Sequence, residues 1–195
     1  MDIEKRPITS PKAGPLLPEI LDRWSPRAFN PERILTESEK YGILEAARWA
    51  ASSGNNQPWR LAWIDRTDKK FDSFVEKCLA PGNAVWAKNA SALVVIITQT
   101  EEDKQHLDRA EYTTGLAGSQ LILQVQYVGL FSHHMSGIDV TEIKRFLKIK
   151  DHHIVQSVIA VGEMAEPETL PEDLANREKA DRERKNLEEI VIYGL

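Results

Sequence analysis

The stretch EAARWAASSGNNQPWRLAWID, residues 45–65, changes periodicity twice and sets the local architecture. Upstream, Thr36 followed three residues later by Glu39 is a capping-box pattern, and Ile43, Leu44, Ala47, Ala50 and Ala51 recur at helical spacing. The helix so marked is expected to end near Ser52, because Ser-Ser-Gly-Asn-Asn is a run of strong loop formers. WRLAWID, residues 59–65, then reads as a strand.

Outward from this segment the chain alternates helix and strand patterns. A short helix fits from about Pro18 to Asp22 and must run out before Ser25-Pro26, since proline disfavours helix in the residue preceding it. Residues 68–79 read as an amphipathic helix stopped by Pro81-Gly82. SALVVIIT, residues 91–98, is a continuous β-branched apolar run of the kind a strand buried on both faces requires. A long helix fits between about 102 and 129, with Gly115 and Gly118 in its interior where another backbone could approach closely. FSHHM is a short strand, Asp139 with Glu142 forms a second capping box, and HHIVQSVIAVG, residues 152–162, is another core strand.

From 163 to 186 the chain is rich in Pro, Glu and Arg and reads as a solvated arm. It finishes in LEEIVIYG, a strand-like apolar run that must pair with something, in this subunit or in another. Helices interspersed with four or five strands favour α+β with a mixed sheet over regular βαβ winding. Neither GxGxxG nor GxxxxGK[ST] occurs, which removes the two commonest nucleotide fingerprints.

Composition bounds the function. The chain has 195 residues, 42% hydrophobic and 28% charged, and one domain is the default at this length. No apolar run approaches the roughly 18 residues that a membrane span needs, and charges with prolines occupy the place of a signal-peptide core. The lone Cys78 cannot form an intramolecular disulfide and fits a reducing cytoplasm. A formal charge of −5 argues against nucleic acid as the partner.

Two segments carry candidate chemistry. In RWSPR, residues 23–27, Arg23 and Arg27 flank Ser25, and Pro26 fixes the turn, so two guanidinium groups and a hydroxyl can converge on a phosphate. Two solvated arginines at a helix end fit the same letters. In SSGNNQPW, residues 52–59, consecutive hydroxyl and amide groups sit on a loop and can satisfy the edge of a polar ring; a turn stapled by Trp59 fits as well. Adjacent histidines at 133 and 134, and at 152 and 153, invite a metal, but neighbours on a strand point to opposite faces, so no metal is expected. One of the first pair could instead face a bound ring as a proton donor.

Taken in this order, RWSPR and SSGNNQPW resemble the nitroreductase family. Further resemblance lies in GNAVW at 82–86, YVGLFSHHMSGID at 127–139, IAVGEMAEP at 159–167 and RERKNLEEIV at 182–191. The resemblance implies a single nitroreductase-like α+β domain over 1–195, with a mixed, mostly antiparallel sheet surrounded by helices. Within it, about 1–14 would be a flexible N-terminus and about 163–195 an arm exchanged between the subunits of a homodimer. It implies FMN as cofactor and NADH or NADPH as donor.

The implied cofactor contacts are Arg23, Trp24, Ser25 and Arg27 from one subunit, with Arg182 and Arg184 completing the phosphate site. Ser52, Ser53, Asn55 and Gln57 would come from the other subunit, and Met135, Ser136 and Gly137 would border the ring. No residue need be catalytic, because the redox chemistry belongs to the cofactor. The implied activity is ping-pong reduction of a small aromatic acceptor such as a nitroaromatic, a quinone or a flavin. Branches that dehalogenate or oxidise azolines, or a non-catalytic flavin-binding protein, are the alternatives. The chain departs from the family pattern at Ala51 and Asn186, where proline is usual, and at Phe131, where glycine is frequent.

Overall fold

Two apolar clusters face each other across a four-stranded sheet, and the sheet's central strands feed both. The structure is a computed structural model that describes Ser10, 12–102 and 105–194. The strands are β1 (Trp59–Asp65), β2 (Ala92–Gln99), β5 (Phe131–Met135) and β6 (His153–Gly162), in spatial order β1-β2-β6-β5. All three pairings are antiparallel. A two-stranded ribbon, β3 (Glu101–Glu102) with β4 (Gln105–His106), stands apart.

Alternation along β2 divides its side chains. Leu93, Val95 and Ile97 join Val158 and Ala160 of β6 on one face, while Val94 and Ile96 join Ile159 and Val161 on the other. The register Leu93↔Ala160, Val94↔Ile159 and Val95↔Val158 keeps like faces together. A bulge follows, where Ile96↔Ser157 is succeeded by Ile97↔Val155. It restores Val155 to the face of Ile97 and leaves Gln156 as the extra residue.

The second face is covered by α2 (Glu37–Arg48) and α5 (Ala110–Tyr127), through Ile43, Ala47, Ala117, Leu121 and Val125. The first is covered by α3 (Phe71–Cys78), α4 (Pro81–Ala87), α6 (Val140–Leu147) and α7 (Glu172–Glu178). At α2 both halves of the capping box form, Thr36 with the Glu39 backbone and Glu39 with the Thr36 N–H. Asp139 caps α6 through the Glu142 N–H at 2.9 Å.

Several expectations need correcting. Pro81 does not stop a helix; it starts α4 at N1, where a missing N–H costs nothing. The long helix begins only at Ala110, because Glu101–Glu102 and Gln105–His106 are taken by the ribbon and Arg109 is left-handed at φ 59°. The helix α2 ends at Arg48, four residues before Ser52. LEEIVIYG forms no strand within the chain; Leu187–Ile190 is one turn of helix, α8, capped by Asn186 and Glu189. Most of the expected flexible N-terminus, 1–9 and Pro11, lies outside the described residues.

Candidate functional site

The RWSPR segment is held by polar contacts. The preceding helix α1 (Pro18–Asp22) starts on a proline and buries none of its side chains, and Arg23 is its C-cap. Past Pro26 the chain is extended: Phe29 bridges Met164, and the Ala165 N–H donates to the Ala28 carbonyl at 2.9 Å. The Glu178 carboxylate, 7% exposed at the end of α7, accepts from the Arg27 N–H at 2.6 Å and the Ala28 N–H at 3.0 Å. Its other oxygen lies 3.7 Å from the Arg27 guanidinium. Beneath, His133 Nδ1 lies 3.0 Å from the Pro26 carbonyl, and its ring packs 4.6 Å from Trp86. A carbonyl only accepts, so Nδ1 carries the proton. Burial, opposed by that bond, pushes the His133 pKa down and favours the neutral ring.

Arg182 donates to the Leu21 and Arg23 carbonyls at 2.7 and 2.9 Å, the place where a cation satisfies the end of a helix. This brings Arg182 and Arg184 close enough to Arg23 to perturb it. The Arg23 pKa is lowered first by burial, then by Arg184 and Arg182. That of Arg182 is lowered by burial and Arg184, with Asp22 opposing. Arg23 also donates to Ser25 Oγ at 3.4 Å. Three guanidinium groups in one partly buried place repel one another, an arrangement that an anion relieves. The buried N–H groups Trp24 Nε1 and Arg182 Nε have no hydrogen-bond partner among the described residues. The donor set therefore suits a phosphate, with Arg23, Ser25 and Arg184 presented to it. Arg27 and much of Arg182 are occupied in holding the segment.

The second segment is strained. Ser53–Asn55 is a short 3-10 turn, and Gly54, Asn55 and Gln57 lie at φ 55°, 58° and 46°. Glycine and asparagine tolerate this region; for glutamine it is uncommon, and such positions concentrate at ligand sites. Ser52 Oγ accepts the Gln57 N–H at 3.2 Å, and Gln57 Nε2 donates to the Asn55 carbonyl at 3.2 Å. Residues 53–56 turn their polar groups outward.

The fold does not bring the two segments together in one chain. Gln57 leads into β1, one edge of the sheet, whereas RWSPR is tied to β5, the other edge. Three strand spacings separate the edges, about 14 Å. Through the register, Trp59 aligns with Ile154 and His133 with Ala160, a further offset of about 20 Å along the strands.

The third predicted segment divides. Met135 is in the core at 2% exposure, so its side chain is committed to packing. The Gly137 carbonyl accepts from the Ala80 N–H at 3.0 Å and Asn83 Nδ2 at 2.9 Å, and the Ser136 carbonyl accepts the Ile138 N–H at 3.0 Å. What these two can offer a ring is therefore not their carbonyls. A Cβ at Gly137 would stand 2.8 Å from Asn83 Nδ2, so any side chain there displaces the amide that donates to the Gly137 carbonyl.

His133 and His134 do point to opposite faces. The exposed His134 ring lies near Gly118 and 3.4 Å from Ser157 Oγ, and surrounding protein, His133 and Arg23 together push its pKa down to about 4. The second pair corrects the expectation: His152 precedes the strand, so its ring lies 4.5 Å from that of His153. Among the described residues no group of three or more His, Cys, Asp or Glu side chains is placed to hold a metal ion. Nor is any helix long and apolar enough to cross a membrane.

Glu178 is the functional residue that reading the sequence missed. Its signal lies in α7, where Leu174, Ala175 and Glu178 share the spacing of one buried face. A carboxylate on an apolar stripe needs a partner, and a segment taken as solvated hides it.

Comparison with known proteins supplies the relationship. The model of the nitroreductase family matches residues 20–82. A solved oxidoreductase containing FMN is 34% identical, covers 93% of each chain and superposes with a TM-score of 0.87. An uncharacterized 15.4 kDa protein of Mycolicibacterium smegmatis is 31% identical over 130 residues, 67% of this chain and 86% of its own. A putative NADH dehydrogenase/NAD(P)H nitroreductase of Archaeoglobus fulgidus is 25% identical over 73% of this chain and 82% of its own. RWSPR and the strained 52–57 loop lie inside the matched span, and the α+β layering around an antiparallel sheet is shared along nearly the whole chain, so this protein belongs to the nitroreductase family.

Proposed function

We propose that this protein is an FMN-dependent NAD(P)H oxidoreductase that works as a homodimer. The observation that carries the reading is the mutually coupled arginine cluster of Arg23, Arg182 and Arg184, with Ser25 bonded to Arg23, a donor set suited to phosphate at the edge of the sheet opposite the 52–57 loop. One flavin mononucleotide spans such a pair of segments only if a second copy brings its loop to the first copy's arginines. Uncovered apolar side chains support the second copy: Trp49 is 72% exposed on the α2 side, and Ile192 and Tyr193 near the C-terminus are 100% and 94% exposed. In the single nitroreductase-like domain so assembled, residues 164–178 pack on their own sheet through Leu170, Leu174 and Ala175, which shortens the arm expected from about 163, and the stretch beyond Lys185 serves as the arm that covers the partner.

FMN, when bound, supplies the two-electron redox chemistry that connects a nicotinamide donor to a small aromatic acceptor such as a nitroaromatic, a quinone or a flavin. The chain supplies the rest. Arg23, Ser25 and Arg184 hold the phosphate, and Glu178, His133 and Arg182 fix the segment that carries them. The hydroxyl and amide groups of Ser52, Ser53, Asn55 and Gln57 orient the polar ring edge from the partner subunit. Ser136 and Gly137 close the border beside α4. A cleft that admits flat ligands one at a time gives donor and acceptor in turn the same face, which is the ping-pong order.

Anaerobic stopped-flow mixing with NADH and with NADPH tests the activity. Bleaching of the bound flavin absorbance is expected with at least one donor; absence with both would leave a non-catalytic flavin protein. Arg23→Ala with Arg184→Ala is expected to yield colourless protein. Sedimentation of a chain ending at Lys185 is expected to show a weakened dimer, and an unchanged dimer would end the arm reading.

A further inference from the structure

A groove of about 340 Å³ opens near the start of β6, at the edge of the sheet opposite the arginine cluster. Arg60, Lys148, Lys150, His152 and His153 line it, together with the buried Ile97. Among the described residues no Asp or Glu lines it. Carboxylates stand nearby at Glu101, 3.6 Å from His152 Nδ1, and at Asp151, between the lining residues Lys150 and His152, while the Lys144 ammonium lies 3.3 Å from the Asp151 carbonyl. Arg60, Lys148 and Lys150 give the described lining three positive charges in a chain whose net charge is −5.

The parts are positioned. Arg60 Nη1 donates to the Gln57 and Trp59 carbonyls at 2.9 and 2.7 Å, which fixes the guanidinium while a fork of five donors leaves others for a ligand. Lys148 sits at φ 54° at the C-cap of α6, where glycine is the usual residue. The conformation closes α6, with the Lys148 and Ile149 N–H groups both donating to the Lys144 carbonyl. His153 Nδ1 is buried without a hydrogen-bond partner. Burial, then His152, Arg60, Lys150 and Lys144, depress the His153 pKa, so the ring senses a positive potential.

We propose that this groove is an anion site for the phosphate of a small phosphomonoester, separate from the arginine cluster and independent of any flavin reading. Arg60, Lys148 and Lys150 hold the phosphate oxygens, and protonated His153 adds to them. One water needs only about 10–15 Å³ of such space, so a groove of about 340 Å³ leaves room beyond a bare phosphate. The buried Ile97 gives the organic portion an apolar wall. Binding an anion here stabilises charged His153, so phosphate raises its pKa and, reciprocally, protonation of His153 strengthens binding of the phosphate dianion.

The test follows the imidazole NMR resonances of the full-length protein, which has five histidines, with FMN absent and again with FMN present, as phosphate is added against sodium chloride of equal ionic strength. Inorganic phosphate and ribose 5-phosphate are compared. Both are expected to raise the His153 pKa saturably, with the ester binding at least as tightly. Lys148→Gly combined with Lys150→Gln is expected to weaken both by about tenfold, as for the loss of charge-assisted bonds. Glycine is at home at φ 54°, so the first substitution does not threaten folding. A shift reproduced by chloride, an unshifted His153, or equal affinity in the double variant would overturn the proposal.

Discussion

Replacing Glu178 by alanine removes the acceptor that fixes the start of the extended stretch after Pro26. The buried carboxylate takes the Arg27 and Ala28 N–H groups at 2.6 and 3.0 Å on one oxygen, and the Arg27 guanidinium stands 3.7 Å from the other. A hydrogen bond to a charged group contributes about 1.5–3 kcal/mol, so two give an upper range of about 3–6 kcal/mol. They share one oxygen, and water can reach Arg27 once the side chain is gone, so the expected loss is about 3 kcal/mol. For a chain of this length each kcal/mol lowers Tm by about 2–4 °C, giving a fall of about 6–12 °C in a thermal melt. Glu178→Gln keeps an oxygen acceptor but loses the charge, and about half that fall is expected. Both variants should also bind FMN more weakly, measured by fluorescence titration, because the freed segment carries Arg23 and Ser25. A Tm within about 2 °C of the parent would refute the anchoring argument. A large fall with unchanged FMN affinity would confine Glu178 to the fold.

Gly137→Ala drives a Cβ to 2.8 Å from Asn83 Nδ2 and 3.4 Å from Ala80 Cβ; a loss of about 1–3 kcal/mol is expected in denaturant titration, and an unchanged midpoint would contradict the close packing of that loop on α4. Burial, reinforced by Glu142 and Asp139, raises the Cys78 thiol to about 11, so at pH 8 its thiolate fraction is about 100-fold below that of an ordinary thiol. Labelling with a thiol reagent should then track unfolding, and rapid reaction of the native chain would refute this. The His134 pKa lies near 4 in the folded chain, depressed by surrounding protein, His133 and Arg23, against an ordinary 6.5. The unfolded chain therefore binds the extra proton, and stability is lost as pH falls from about 6.5 toward about 4. Melts across that interval should fall less steeply for His134→Gln than for the parent, and parallel slopes would contradict the assignment.

The sequence made most of this fold legible because local chemistry and tertiary demand agree. Thr36 with Glu39, Pro18 before a short helix, and the unbroken run from Ala92 to Thr98 each permit one structure, and each adopts it. Errors arose where one residue type serves two ends of a helix. Pro81 reads equally as stop and start, and only the short Leu79-Ala80 link after α3 decides for a start. The apolar letters of LEEIVIYG give strand propensity, but strand pairing needs an edge, and within one chain these residues meet none. The candidate site was legible as two motifs, whereas its supports were not. Glu178, Arg182 and His133 act on RWSPR from more than 100 positions away, beyond any periodicity.

That distribution of supports has a consequence for the proposed cofactor site. Helix α1 buries no side chain, so apolar packing holds the segment only from its far side, through Pro26, Ala28 and Phe29. Glu178 and Arg182 add the polar contacts to that segment, and they come from a stretch that is itself packed on the core through Leu174 and Ala175. These four bonds therefore couple the RWSPR segment to the stretch that carries Glu178 and Arg182. Any anion that binds Arg23 and Arg184 together relieves the repulsion that opposes those bonds. By linkage, a ligand that prefers the ordered state stabilises everything ordered with it. At the proposed site, anion binding and the ordering of the stretch around Glu178 and Arg182 are then coupled, so Arg182→Ala is expected to weaken FMN binding in a fluorescence titration even though Arg182 is spent on the Leu21 and Arg23 carbonyls.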